Sequence, residues 1–172
     1  MATHRIPVLN NVKPEAGVPL VLVGAEIAAG TAPSVANQFA YKLSDAGADR
    51  GFNHDYSIPK NYVGSPALVA RGILDGAPGA SDTLGLGNRK RAVANNEVAA
   101  GTFDAEQVTA PTIGSGGSGH ADTDEIEVSI SLTAGDYAVD DRVYSYFFID
   151  ASGTSYAGNF LLTGLYFQYA DA

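Results

Sequence analysis

Cysteine and tryptophan are both absent from the 172 residues of this chain. Without cysteine the protein cannot form disulfides, thiolate-ligated zinc sites or iron–sulfur clusters, and it cannot use a cysteine nucleophile. No apolar run approaches the ~20 residues of a membrane-spanning helix, and the first residues lack the apolar core of a secretory signal. We therefore expect a protein that is made in a cytoplasm and does not enter a membrane.

Basic residues are scarce in the last part of the chain. Residues 104–172 carry 11 acidic residues and one basic residue, Arg142, whereas residues 1–103 carry 8 acidic and 9 basic residues. The formal net charge of −9 argues against a protein that binds nucleic acid without sequence preference. The acidic part either keeps the protein soluble or docks onto a basic partner.

Glycine and proline are frequent, with 20 and 8 residues respectively, which is typical of a turn-rich all-β protein. Apolar residues alternate with polar residues in several short segments that are separated by such turns. We predict about eight strands in an antiparallel β-sandwich or jelly roll. The predicted strands cover residues 18–25, 37–43, 52–58, 67–74, 89–99, 103–108, 126–132, 143–149 and 160–169.

The last third of the sequence holds ten of the sixteen aromatic residues, all between Tyr137 and Tyr169. Aromatic side chains bury large areas and favour strands. We predict that residues 143–149 and 160–169 form a terminal hairpin that organises the core, with Phe147, Ile149, Leu162 and Leu165 buried.

Residues 1–17 differ from the rest because they contain two prolines and have no acidic residue before Glu15. Proline and its neighbours oppose a helix, so we predict an extended N-terminal arm, followed by one jelly-roll domain over residues 18–172. An extended arm can add hydrogen bonds and apolar contacts to a neighbouring subunit. The alternative is a disordered chain end. The predicted contact residues are His4, Arg5, Ile6, Val8, Leu9 and Lys13.

No motif in the sequence indicates an enzyme. The three histidines, His4, His54 and His120, are not spaced as metal ligands, and no serine lies in a GxSxG context. The glycine-rich segment 113–120 lacks the lysine of a phosphate-binding loop, so we interpret it as a flexible surface loop. We therefore assign no catalytic, cofactor or metal-binding residue.

Carboxylates leave one metal hypothesis open, because calcium prefers oxygen ligands. Converging loops can assemble such a site, although the spacing does not match an EF-hand. The alternative is a solvated acidic rim. The residues concerned are Asp122, Asp124, Glu125, Asp140 and Asp141.

Arg89, Lys90 and Arg91 form the only basic cluster in the sequence. We expect either local ion pairs with the acidic part of the chain or contact with an acidic patch on a partner.

Two stretches resemble a jelly-roll domain that is common in structural proteins of tailed bacteriophages. The first is residues 56–68, YSIPKNYVGSPAL, and the second comprises residues 140–144 and 156–169. The second stretch is similar to the last two strands of that domain. The resemblance implies an eight-stranded jelly roll and a capsid decoration (cement) protein that binds the major capsid protein on the outside of the virion. It also implies a homo-oligomer, with a trimer favoured.

The resemblance does not separate head proteins from tail proteins, since fold alone does not fix function. A phage tail or fibre module is therefore one alternative. A carbohydrate-binding module is the other, and it should carry exposed aromatic residues aligned on a groove or concave sheet.

Overall fold

The computed structural model describes residues 2–9, 12–14, 21–23, 40–44, 47–94, 97–98 and 101–171. Within them the chain is almost entirely β-structure, with one 3₁₀ turn at Ala134–Asp136. The strands are Thr3–Pro7 (β1), Lys13–Pro14 (β2), Val21–Val23 (β3), Ala40–Ser44 (β4), Arg50–Ser57 (β5), Tyr62–Asp75 (β6), Leu86–Val93 (β7), Gln107–Thr109 (β8), Glu125–Ser131 (β9), Arg142–Ile149 (β10) and Asn159–Asp171 (β11).

The strands form two antiparallel sheets that face each other. The six-stranded sheet has the order β3-β4-β11-β6-β9, with β1 pairing with β11, and the five-stranded sheet has the order β2-β5-β10-β7-β8. Strands β4 to β11 contribute four strands to each sheet, and the chain changes sheet at every connection except β7–β8, which pair with each other. This order is that of an eight-stranded jelly roll. The predicted fold class is thus confirmed, and β1, β2 and β3 are additions to it.

Alternation of side chains sets the core between the sheets. Strand β9 shows this clearly, because Ile126, Val128 and Ile130 are buried while the residues between them are exposed. A strand places successive side chains on opposite faces, so every second residue of β9 packs against the facing sheet and the others face solvent. Phe147, Ile149, Leu162 and Leu165 are buried in this core as predicted.

The predicted terminal hairpin is wrong. Strand β10 pairs with β5 and β7 in one sheet, whereas β11 pairs with β4 and β6 in the other. Residues 150–158 therefore cross from one sheet to the other. Both strands do contribute to the core, because their apolar faces meet across the sandwich.

The N-terminal arm is not a separate segment where the structure describes it. Strand β1 pairs with β11 over five residues, from Thr3 opposite Ala170 to Pro7 opposite Tyr166. Strand β2 then pairs with β5 in the other sheet. The prediction of an extended conformation is correct for these strands, but they pair within their own chain. The N-terminal segment therefore connects the two sheets.

Other predicted elements differ mainly at their ends. Strand β7 ends at Val93, earlier than expected, and β8 is limited to three residues. Residues 113–120 form a loop as predicted, but one that packs closely on the neighbouring loop around Gly79. A side chain at Gly114 would collide with the backbone of Gly79, so glycine is needed there for close packing. Of the strand expected at 18–25, the structure describes only Val21–Val23, and residues 37–39 also lie outside the described part.

Candidate functional site

The outer face of the five-stranded sheet carries a row of three side chains from neighbouring strands. Asn53 of β5, Tyr146 of β10 and Arg89 of β7 lie opposite one another in register. Their strand neighbours point into the core, so these three point outward. Cross-strand neighbours lie about 5 Å apart, which places an amide, an aromatic ring and a guanidinium side by side.

This row lines a pocket of about 220 Å³, and Phe103 supplies a further wall from the connection between β7 and β8. The Phe103 side chain is 44% exposed. Ligand pockets in proteins are mostly apolar and contain a few polar groups that orient the ligand. This pocket combines two aromatic residues, Phe103 and Tyr146, with two polar ones, Asn53 and Arg89, and its volume fits a single small ring.

The adjacent rows extend the same surface along β10. Tyr144 lies between Asp55 and Arg91, two residues from the pocket, and is 38% exposed. We call the outward-facing set the aromatic face; it consists of Asn53, Asp55, Arg89, Arg91, Phe103, Tyr144, Tyr146 and Phe148. The face is a strip of rings flanked by polar residues of β5 and β7.

Phe148 is fully buried although it faces outward. Its ring lies against Gly87, where a Cβ atom would collide with it. The ring also stacks on Tyr146 with centroids 5.4 Å apart, and the Arg89 guanidinium lies 5.0 Å from its centroid. The Phe148 ring thus lies at the base of this surface, and the side chains of Arg89 and Tyr146 pack against it.

Arg89 is oriented by two carboxylates. Its Nε and Nη2 atoms donate to Glu106 at 3.0 and 2.7 Å, and Nη2 also donates to Asp49 at 3.2 Å. The hydrogen bond to Glu106 raises the pKa of Arg89 above its usual value. At the next rows, Arg142 pairs with Asp55, and Arg91 donates to the carbonyl of Val98 at 3.1 Å. Carboxylates therefore balance the charges of Arg89, on the aromatic face, and of Arg142, which lies beside it.

Lys90 was predicted as a partner contact, and this is wrong because its side chain is 1% exposed. It points inward, where its Nζ donates to Asp104 and Asp136 at 2.6 Å each and lies 5.1 Å from the centre of the Tyr137 ring. The alternative prediction, local ion pairs with the acidic part of the chain, is correct for Arg89 and Lys90.

The predicted contact residues of the arm are used mainly inside the domain. Val8 is fully buried, so its selection as a partner contact is also wrong, and Ile6 and Leu9 pack against the core. Lys13 lies in β2 and pairs with Asn53 of β5.

His4 and Arg5 remain partly exposed and pair with residues of their own chain. The Nε2 atom of His4 lies 2.6 Å from Asp171. Arg5 reaches across the six-stranded sheet to both carboxylate oxygens of Glu127, at 2.9 Å each, and to Gln168 at 2.8 Å.

A second ion pair lies on the same outer face of the six-stranded sheet, where Arg71 of β6 donates to Glu125 of β9 at 2.6 Å. Together with Ser129, Ser131 and Gln168 these side chains make a polar surface. We call it the charged face; it consists of Arg5, Arg71, Glu125, Glu127, Ser129, Ser131 and Gln168. It lies on the side of the sandwich opposite the aromatic face.

The acidic loops do not converge on one point in the part of the chain that the structure describes, where no three His, Asp or Glu side chains are placed to hold a metal ion. Several of these carboxylates instead accept hydrogen bonds from turn backbone. Asp122 accepts from the Gly76 amide, Asp124 from Ala121 and Asp141 from Ala138, each at 2.8 Å.

Sequence reasoning found Arg89 but missed the rest of the pocket. The signal was present in β10, where Tyr144, Tyr146 and Phe148 alternate with core residues. Six of the ten aromatic residues between Tyr137 and Tyr169 belong to the core. The three outward rings of β10 can be recognised as part of a pocket only from the structure, which places β5 and β7 beside β10.

Comparison with known proteins gives no family. No protein-family model and no curated protein matches the chain. Among the described residues no helix is long and apolar enough to cross a membrane.

Similar solved structures include an arabinose-bound α-L-arabinofuranosidase, MgGH51, at 13% identity with a TM-score of 0.48. The alignment covers 94% of this chain but only 24% of the enzyme, so this chain spans about a quarter of the enzyme's length. A family 16 carbohydrate-binding module matches at 17% identity with a TM-score of 0.37, covering 92% of this chain and 87% of the module. A mannan-recognising module, TmCBM27, matches at 10% identity with a TM-score of 0.38 and 99% coverage of both chains. Likenesses at this distance assign no function to the chain.

Proposed function

We propose that the protein is a non-enzymatic structural component of a phage particle, a decoration protein that binds the major capsid protein on the outer surface of the head. The charged face is the observation that carries the proposal. It is a polar surface on which Arg5, one of the residues selected from the sequence, is held in place by Glu127 and Gln168. Attachment through the charged face directs the aromatic face, on the opposite sheet, away from the shell.

The ion pairs of the charged face suit repeated weak contacts. Exposed ion pairs contribute little to the stability of a fold, so Arg5–Glu127 and Arg71–Glu125 are available to exchange partners at an interface. Each contact made in this way is weak. Many copies on a regular lattice multiply such contacts through avidity, and the shell gains resistance to outward pressure.

The three histidines contact acceptor groups of their own chain. His54 bonds to the carbonyl of Val8, His4 pairs with Asp171, and His120 lies 3.7 Å from Asp124. Each therefore contacts a backbone carbonyl or a carboxylate.

We further propose that the protein assembles as a homo-oligomer, with a trimer favoured. Val63, near the start of β6, and Val139, in the turn that precedes β10, are exposed apolar side chains. Exposed apolar side chains at one end of a sandwich suit contact between copies. Light scattering on the purified protein measures the number of copies, and a strictly monomeric protein at all concentrations contradicts the proposal.

Binding to purified expanded capsids tests the main proposal. The wild-type protein should cosediment with capsids, and the bound fraction should fall as salt is raised because exposed charges are screened. The variant Arg5→Ala/Arg71→Ala should remain folded and lose attachment. Arg142→Ala is the matched control, because it removes an exposed, ion-paired arginine from the other sheet. Equal attachment of all three proteins contradicts the role of the charged face.

The number of copies per virion separates the head from the tail. Hundreds of copies by quantitative mass spectrometry support a shell component, whereas a handful indicate a tail or fibre module and contradict decoration.

A further inference from the structure

We propose that the pocket of the aromatic face binds one ring of a neutral saccharide, with the saccharide chain continuing along β10 over Tyr144. This is a second binding activity, on the sheet opposite the charged face, and it does not require the capsid. The inference therefore goes beyond the proposed decoration role.

Unused hydrogen-bonding groups are the first support. The side-chain amide of Asn53 makes no hydrogen bond within the described residues, and neither does the Nη1 atom of Arg89, whose other nitrogens bind Glu106 and Asp49. An amide offers two donors and one acceptor oxygen, and Nη1 offers two donors. These groups lie on the two sides of Tyr146 in one row, so they can reach hydroxyl groups on both edges of one ring.

Charge balance selects a neutral ligand. The Arg89 guanidinium is shared between two partly exposed carboxylates, Asp49 and Glu106. An anionic ligand would approach these carboxylates and be repelled. A hydroxyl group both donates and accepts, so it can accept from Nη1 and donate to a carboxylate oxygen. Paired opposite charges of this kind therefore favour an uncharged polyhydroxylated ligand over a phosphate or a carboxylate.

The apolar walls supply the remaining contact. Phe103 is partly exposed at the pocket, and an aromatic ring there can cover the C–H face of a sugar. The volume of about 220 Å³ is below the ~300 Å³ at which pockets for drug-sized ligands begin, which limits the occupant to one ring. Residues two apart on a strand lie about 7 Å apart along it, so Tyr144 is placed to contact the next unit of the chain.

The test uses the full-length protein without capsids. Neutral oligosaccharides of glucose, mannose and arabinose are titrated at millimolar concentration into ¹⁵N-labelled protein, with heparin and hyaluronan as acidic probes. We expect one of the neutral probes to shift the side-chain amide resonances of Asn53. Binding measured by calorimetry should weaken at least tenfold in Asn53→Ala and in Phe103→Ala, which corresponds to about 1.4 kcal/mol.

Ser129→Ala on the charged face is the matched control, and its affinity should equal that of the wild type. Thermal melting and circular dichroism establish whether each variant is folded. If Asn53→Ala does not fold, the nearly isosteric variant Asn53→Asp takes its place. The proposal is overturned if no neutral probe shifts the Asn53 resonances, if only acidic probes bind, or if binding survives both substitutions. Because no capsids are present in these experiments, none of these results bears on the decoration proposal, which the cosedimentation experiment tests separately.

Discussion

The backbone carbonyl of Val8 accepts a hydrogen bond from Nδ1 of His54 at 3.2 Å. Val8 follows strand β1 of the six-stranded sheet, and His54 lies in the middle of β5 of the other sheet. The bond therefore ties the N-terminal segment across the sandwich. His54 is buried and stacks on Tyr56 with ring centroids 5.7 Å apart, while its Nε2 atom has no hydrogen-bond partner among the residues that the structure describes.

The first prediction is that His54 makes the fold sensitive to acid. Burial lowers the pKa of His54 from 6.5 to about 4, against the opposing effect of its hydrogen bond to Val8. The unfolded chain therefore binds a proton more readily than the folded one between these values, so stability is fully present above pH 6.5 and declines as the pH falls toward 4. The loss attributable to this group is about 3 kcal/mol.

Urea unfolding at a series of pH values measures this effect. The variant His54→Leu lacks the titrating group, so its free energy of unfolding should fall less than that of the wild type across the window. His4→Gln, which removes a partly exposed histidine, is the control and should follow the wild type much more closely. Parallel curves for wild type and His54→Leu would show that His54 is not responsible.

The second prediction concerns the N-terminal segment. Deletion of residues 2–13 removes β1 and the buried side chain of Val8, so it should lower the melting temperature of the isolated protein. Val8→Ala should cost about 2 kcal/mol, because two methyl groups leave the core. Thr3→Ala, at an exposed site of the same strand, is the control. A truncated protein that melts like the full chain would contradict the pairing of β1 with β11.

That prediction reverses what the sequence alone indicates. Two prolines within residues 1–17 suggest a segment outside the sheets, because proline lacks the N–H that a strand needs. Pro7 is tolerated at the end of β1, which lies beside β11 at an edge. Nothing in the local composition identifies β11 as the partner strand, because the two strands are separated by most of the chain. The extended conformation was therefore predictable, and its position was not.

The third prediction concerns the core. Phe147 is fully buried and packs against Phe52 with ring centroids 5.6 Å apart. Phe147→Ala should destabilise the protein by about 3–5 kcal/mol, since it removes a large buried side chain and leaves a cavity. Tyr144→Ala, at a partly exposed position of the same strand, should cost much less. Differential scanning calorimetry of both variants decides the point, and equal melting temperatures would contradict the assignment of faces in β10.

The two faces of β10 illustrate what a sequence can specify. Alternation in β9 and β10 assigns side chains to inner and outer faces, because the period of a strand is two residues. Alternation does not identify the neighbouring strand. Consecutive strands pair in about two-thirds of cases, and the jelly roll is an exception for β10 and β11. The row of Asn53, Tyr146 and Arg89 depends on the register of three distant strands, so the pocket was not predictable.

The fourth prediction concerns metal removal. Asp122, Asp124 and Asp141 each accept a hydrogen bond from a backbone amide, and these bonds hold the turns. Addition of EDTA should leave the melting temperature unchanged. A marked decrease that added Ca²⁺ reverses would contradict this account of the acidic loops. Asp122→Asn, which keeps an acceptor oxygen at the same position, should then reproduce part of the decrease.

The position of β11 has a consequence for biosynthesis. Strands β1, β4 and β6 all hydrogen-bond to β11, yet the ribosome makes each of them well before it. The six-stranded sheet cannot form completely until β11 has left the exit tunnel of the ribosome. Until then, the edges of β1, β4 and β6 that pair with β11 keep unpaired backbone N–H and C=O groups. Folding dominated by such distant pairings is slow, and open strand edges promote aggregation. Yield during recombinant expression should therefore depend strongly on temperature and on chaperones that hold nascent chains.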